Sequence, residues 1–223
     1  INNKNIQPDF KILKSYINQK TKMIYLSSPN TVTGQSINEE DFDEFMKTVP
    51  DNIPIIIDQS YLEFSFNKKA VDPLKYLDKN VIVMRTMNNF YGFENLELSY
   101  VISDIEIATM LQKSQIIDMP LNKFNEEIAL TAYKDKNYNK YVKETMYKER
   151  QRLYKIFKEN NIQYYPSEVN FILIKANKTR GEIIEELEKE KIIFYASNDV
   201  HFTHWTLPIS TKKINNKVLQ VLT

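Results

Sequence analysis

Short apolar runs recur along the chain at residues 23–26, 53–57, 81–84 and 98–102, each closed by polar or turn residues and followed by sequence of helical period. Strands that alternate with helices in this way predict a mostly parallel sheet covered by helices, an α/β fold. Between the first two runs, Asn38 predicts the N-cap of a helix with Phe42, Phe45 and Met46 on one face. After the fourth run, Asp104 predicts the cap of a helix carrying Ile105, Ile107, Met110 and Leu111. From Pro120 to about Asn160 the pattern is that of one long helix, its charged faces filled by lysine and glutamate. Beyond it the pattern becomes α+β. A strand is predicted over 171–174, a helix capped by Thr179, strands over 192–195 and 204–207, and a last helix from Thr211. The expected division is a partial large domain over 1–145 and a small C-terminal α+β domain over 146–223.

Composition narrows the function classes. Thirty basic and 29 acidic side chains leave a net charge of +1, which argues against a nucleic-acid surface or a polybasic membrane patch. No apolar run reaches membrane-spanning length, and no signal peptide is expected from the opening residues. The absence of cysteine excludes disulfides and thiol chemistry and fits a reducing compartment, so a cytoplasmic protein is expected. The chain opens on Ile1, which suggests that it starts partway through a longer parent or has been processed.

Candidate chemistry collects where ligands of such sheets sit, beyond the carboxyl ends of the strands. Three loops there are unusual: residues 28–34, 58–64 and 85–92. Two of the three glycines in the chain, Gly34 and Gly92, fall within them, where a turn needs backbone freedom. Asp58 ends an apolar strand. It reads either as a cap or loop carboxylate, or as the group that keeps a pyridine nitrogen protonated. Tyr61 reads as packing or as a hydrogen-bond donor to a ring oxygen. His201 and His204 invite a metal reading, but three apart beside a strand they face opposite sides, with no carboxylate pair beside them. The Tyr133, Tyr138, Tyr141 and Tyr147 series could stack on bases, yet at this charge it fits an amphipathic core or interface helix.

Five segments in order carry a resemblance. They are Ser28-Pro29-Asn30-Thr31-Val32-Thr33-Gly34, Asp58 to Phe64, Arg85-Thr86 with Tyr91-Gly92, Pro166-Ser167-Glu168-Val169-Asn170-Phe171, and the C-terminal strand. Together they resemble the histidinol-phosphate aminotransferases, which use pyridoxal phosphate (PLP) and belong to fold type I. The resemblance runs from about Asp9 to the C-terminus, without the family's N-terminal part. It implies cofactor contacts at Asp58, Tyr61, Thr86, Thr31 and Asn88, substrate contacts at Asn170 and His204, and a homodimer or hetero-partner using the family's dimer face. The departures from the pattern are specific. Aligned on Arg85-Thr86 and Tyr91-Gly92, the lysine that holds the cofactor covalently falls on Asn89, and the phosphate-binding arginine falls on Glu97. An amide has no basic amine, and loss of acid–base work alone costs roughly 10²- to 10⁴-fold. A carboxylate in place of the arginine turns an attraction into a repulsion on the order of 4 kcal/mol. The expectation is a catalytically degenerate aminotransferase-like protein that serves as a binding or assembly module, with no retained catalytic residue and PLP ancestral but not bound. The alternative is an active PLP transaminase that draws its lysine from elsewhere, with Lys69 and Lys113 as candidates.

Overall fold

The computed structural model describes residues 6–96, 98–114, 122–176, 178–193 and 204–222. Two sheets organise it. The first has the order β1 (Ile24–Ser27), β2 (Ile55–Asp58), β3 (Val81–Thr86), β4 (Ser99–Ile102). The first three strands are parallel, with Ile24 beside Ile55 and Ile55 beside Val81. That register puts Ile24, Leu26, Ile55, Ile57, Val81 and Val83 on one face, and all are buried. Helix α1 (Phe10–Tyr16) and helix α2 (Glu39–Met46) cover this face through Phe10, Phe42 and Phe45. Phe10 stacks on Phe45 with ring centroids 4.7 Å apart. As expected, the Asn38 side chain caps α2 by accepting from the Glu40 and Asp41 amides.

The strands' other face carries Tyr25, Ile56, Ile82, Met84 and Val101, together with Asp58. Tyr25 is 55% exposed and Val101 47%. Parallel sheets are ordinarily covered on both faces, so among the described residues this face is open.

The fourth strand runs antiparallel to β3, which makes the sheet mixed. Its connection holds α3 (Asn88–Tyr91), ended by Gly92 in the left-handed region, and a short 3-10 turn over Glu94–Leu96. A parallel return would need a crossover helix laid across the sheet, and this connection holds only short turns of helix among the described residues. Helix α4 (Ile105–Lys113) follows under the Asp104 cap.

The expected single long helix is two, α5 (Lys123–Lys134) and α6 (Lys136–Glu159), with Asp135 closing one and capping the other. The Asp135 carboxylate accepts from the Tyr138 amide at 2.9 Å. A short acidic side chain offers the backbone that alternative to helix continuation.

The second sheet is antiparallel, β5 (Gln163–Tyr164), β6 (Phe171–Lys175) and β7 (His204–Pro208), packed against α6, α7 (Arg180–Lys189) and α8 (Lys212–Leu222). Thr179 and Glu182 form a reciprocal cap on α7. Strand β5 is too short to have been marked by the hydrophobic pattern. Of the strand predicted over 192–195, Ile192 and Ile193 are not in strand, and Phe194 and Tyr195 lie outside the described residues. So do His201 and Glu97.

Candidate active site

The loops after β1, β2 and β3 are tied to one another by backbone bonds that extend the sheet. The Ser28 amide donates to the Asp58 carbonyl at 2.9 Å and the Gln59 amide to the Met84 carbonyl at 2.8 Å. Asp58, 9% exposed, therefore stands at the carboxyl end of the central part of the sheet. Its Oδ1 accepts from the Ser60 amide at 2.8 Å and from the Ser60 hydroxyl, and its Oδ2 accepts from the Tyr25 phenol at 2.6 Å. A carboxylate offers about four acceptor positions. Among the described residues three are filled, which leaves one on Oδ2 for a further donor. Partial burial, and then the Asp58 carboxylate, push the Tyr25 phenol up to about 12.

Tyr61 sits close by. Its ring meets Phe171 edge-on with centroids 5.3 Å apart, and burial first, then Asp58 and Glu94, hold its phenol above the ordinary value. Phe171 brings its neighbour Asn170 to the same region. Asn170 Oδ1 is buried and has no hydrogen-bond partner among the described residues. A buried acceptor without a donor is costly in a native site.

Asn89 faces the same turn, its side-chain amide donating to the Ser60 carbonyl at 3.1 Å. The residue expected to align with the family's covalent anchor thus lies beside the Asp58 turn. Thr86 and Asn88 are engaged in closing the β3–β4 connection. The Thr86 hydroxyl donates to the Leu98 carbonyl at 2.9 Å, and Asn88 Oδ1 accepts from the Leu98 amide at 3.1 Å. Thr31 is exposed, and the loop around it is held by Asn30, whose Oδ1 accepts from the Val32 and Thr33 amides at 2.9 Å each.

The structure does not bring His204 to this group. In the β6–β7 pair, His204 lies beside Lys175 while Phe171 lies beside Pro208, so His204 is at the opposite end of the strands. Four residues of strand separate the two ends by about 13 Å. His204 instead meets Tyr165, Nε2 to Oη 3.2 Å.

Sequence reasoning missed three features. One is Tyr25, whose exposed position within β1 faces the Asp58 side of the sheet only once the register is known. Another is the buried Gln59, whose Oε1 accepts from Arg85 Nε at 3.0 Å and Nη2 at 2.8 Å, fixing the arginine of the third loop. The last is Glu168, which accepts from Ser36, Ser65 and Asn67 and so ties the 166–168 segment to the residues just after the first two loops. A polar cavity of 310 Å³ opens beside that latch, lined by Gln35, Ser36, Asn67, Lys69 and Glu168 among others. Lys69, a candidate substitute lysine, thus belongs to the latch cavity, and Lys113 ends α4. Among the described residues no cluster of side chains suited to a metal ion occurs, and no helix is long and apolar enough to cross a membrane.

Comparison with known proteins places these features. Residues 2–208 match the family model for aminotransferase class I and II. Among curated relatives, a histidinol-phosphate aminotransferase 2 of Haemophilus influenzae is 31% identical over 196 residues, 85% of this chain and 52% of the relative. The histidinol-phosphate aminotransferase of Staphylococcus aureus strain MSSA476 is 31% identical over 215 residues, 95% of this chain and 58% of the relative. The chain spans little more than half the length of these relatives. The solved histidinol-phosphate aminotransferase of Clostridium acetobutylicum superposes with a TM-score of 0.85 at 23% identity, covering 96% of this chain and 66% of that one. That of Sinorhizobium meliloti, solved in complex with pyridoxal-5'-phosphate, gives 0.84 at 22% identity, covering 96% and 60%.

One expectation is corrected by these findings. The absence of bound PLP was expected from Asn89 and Glu97, but the matched relatives are aminotransferases and one was solved with the cofactor in place. The physical reason lies at Asp58. Among the described residues the hydrogen bonds of this buried carboxylate do not involve residue 89 and leave one acceptor position on Oδ2, so its capacity to accept an N–H does not depend on an amine there.

Proposed function

The chain belongs to the class I and II aminotransferases, and we propose that within this family it carries the ring-binding part of a PLP site, holds the cofactor without a covalent bond, and is degenerate for transamination. The observation that carries this reading is the Asn89 side chain, bonded to the Ser60 carbonyl at 3.1 Å beside Asp58. Asp58 would accept the ring N–H, and Tyr61 would stand at the ring's edge. PLP, when bound, supplies an electron-withdrawing ring that stabilises negative charge on a substrate carbon. The chain's own residues bind and orient that ring. Asn89 can neither attach to it nor take the substrate proton, because an amide nitrogen is not a base at neutral pH.

The protein then acts as a binding or assembly module. The open sheet face bearing Tyr25, Ile82 and Val101 and the family's habit of pairing subunits support association through that side, as a homodimer or with a hetero-partner. The cysteine-free composition supports a cytoplasmic setting. The lobes would meet near residue 145, within α6, on either side of which the two sheets keep separate apolar cores.

The test is to add PLP and record mass by native and by denaturing spectrometry, before and after borohydride reduction. The expected result is one PLP retained under native conditions and none after denaturation, reduced or not. A stoichiometric adduct on one lysine after reduction would overturn the reading in favour of an active transaminase with a substitute amine.

A further inference from the structure

Tyr25 is an aromatic residue on an open sheet face whose hydroxyl nevertheless has a specific partner. It lies beside Ile56 in the parallel register, so Asp58 is its diagonal neighbour two residues on, within reach of a long side chain. The phenol donates to Asp58 Oδ2 at 2.6 Å, the short distance of a charge-assisted bond. Oδ1 is held separately by the Ser60 amide and hydroxyl. Each oxygen of the carboxylate is therefore fixed by a different element, β1 on one side and the turn after β2 on the other.

We infer that Tyr25 is a positioning residue for the ring-binding carboxylate, aiming the one unfilled acceptor position of Asp58 at a protonated pyridine nitrogen. The inference rests on the proposed role of Asp58. With Ser60 alone, only Oδ1 would be anchored, and Oδ2 could turn toward the water of the open face. With both anchors, the remaining lone-pair direction is preset, and the ligand class is narrowed to flat heteroaromatic cations that present a single N–H. A neutral ring, or one that presents only acceptors, leaves the buried carboxylate unpaired there. The high phenol value of Tyr25, about 12, keeps the proton on the donor throughout the neutral range.

Thermodynamic linkage supplies a signature that a merely structural role lacks. If loss of the phenol weakens binding of the N-protonated ring about tenfold and leaves the unprotonated ring untouched, the ring proton of bound PLP must titrate about one pH unit lower. General damage to the site would weaken both forms alike and leave that titration where it was.

The experiment measures PLP dissociation constants by equilibrium dialysis across pH 5 to 9, with absorbance of the bound cofactor, for the wild type, Tyr25→Phe and Asp58→Asn. Circular dichroism confirms folding, which Tyr25→Phe should preserve because the ring is exposed. The expected result is about tenfold weaker binding by Tyr25→Phe at low pH, a bound-ring titration about one unit lower, and a larger loss in Asp58→Asn. Wild-type affinity and titration in Tyr25→Phe, with Asp58→Asn weakened, would overturn the inference and leave the role of Asp58 standing. Equal weakening at all pH values would overturn it by making Tyr25 structural. Failure of the wild type to bind PLP at all would overturn both.

Discussion

Two phenols, Tyr25 and Tyr91, titrate near 12. Burial leads in both, followed by Asp58 for Tyr25 and by Glu63 for Tyr91. Their ordinary value is about 10, so the folded state holds these protons more tightly than the unfolded chain. Stability from the two groups is fully present below pH 10 and is lost as the pH rises through about 12. The thermal midpoint should therefore fall across that interval, and Tyr25→Phe should fall less steeply; an equal slope would argue against the Tyr25–Asp58 bond. Asp58 was legible as a candidate only through its spacing to Tyr61 and Phe64, since a carboxylate ending an apolar run also reads as a cap. Tyr25 was not, since its bond crosses two strands and depends on register. Nor was the separation of Asn170 from His204, which follows from the antiparallel pairing of β6 with β7.

At the scale of elements, the apolar period placed β1 to β4 and most helices, and failed where a side chain competes with the backbone. Asp135 divides what reads as one helix, and two short helical turns in the β3–β4 connection bring β4 back antiparallel. The 166–168 segment docks on the first loop through Glu168 and through Gly34, whose φ is +69° and whose carbonyl accepts from the Glu168 amide at 2.7 Å. A Cβ on Gly34 would stand 2.1 Å from Ser167 Oγ and 2.8 Å from Val169 Cγ2. Gly34→Ala should then cost about 2 kcal/mol or more from backbone strain and crowding, read as a lower denaturant midpoint. Gly181→Ala has the opposite expectation. That glycine lies within α7, and a methyl group added there would meet nothing within 4 Å, so alanine should stabilise by about 0.5–1 kcal/mol. If both substitutions behave alike, the docking of the 166–168 segment is not set by close contact at Gly34.

At the scale of the molecule, the βα alternation followed by α+β sequence was enough to expect the architecture, because periodicity reports which faces are buried. It could not report the mixed sheet or the one face left open among the described residues, since these depend on which strands pair. The same holds for the site. Motif order located Asp58, Tyr61 and Asn89 at the strand ends, while the hydrogen bonds that give each a task came from the fold. The central claim is that this chain keeps the place of the covalent anchor but not the amine. It is tested most directly by converting Asn89→Lys, adding PLP, reducing with borohydride and mapping peptides beside the wild type. A cofactor adduct on residue 89 of the variant, with none on the wild type, is the predicted result. An adduct on the same other lysine in both proteins, or none at residue 89, would contradict it.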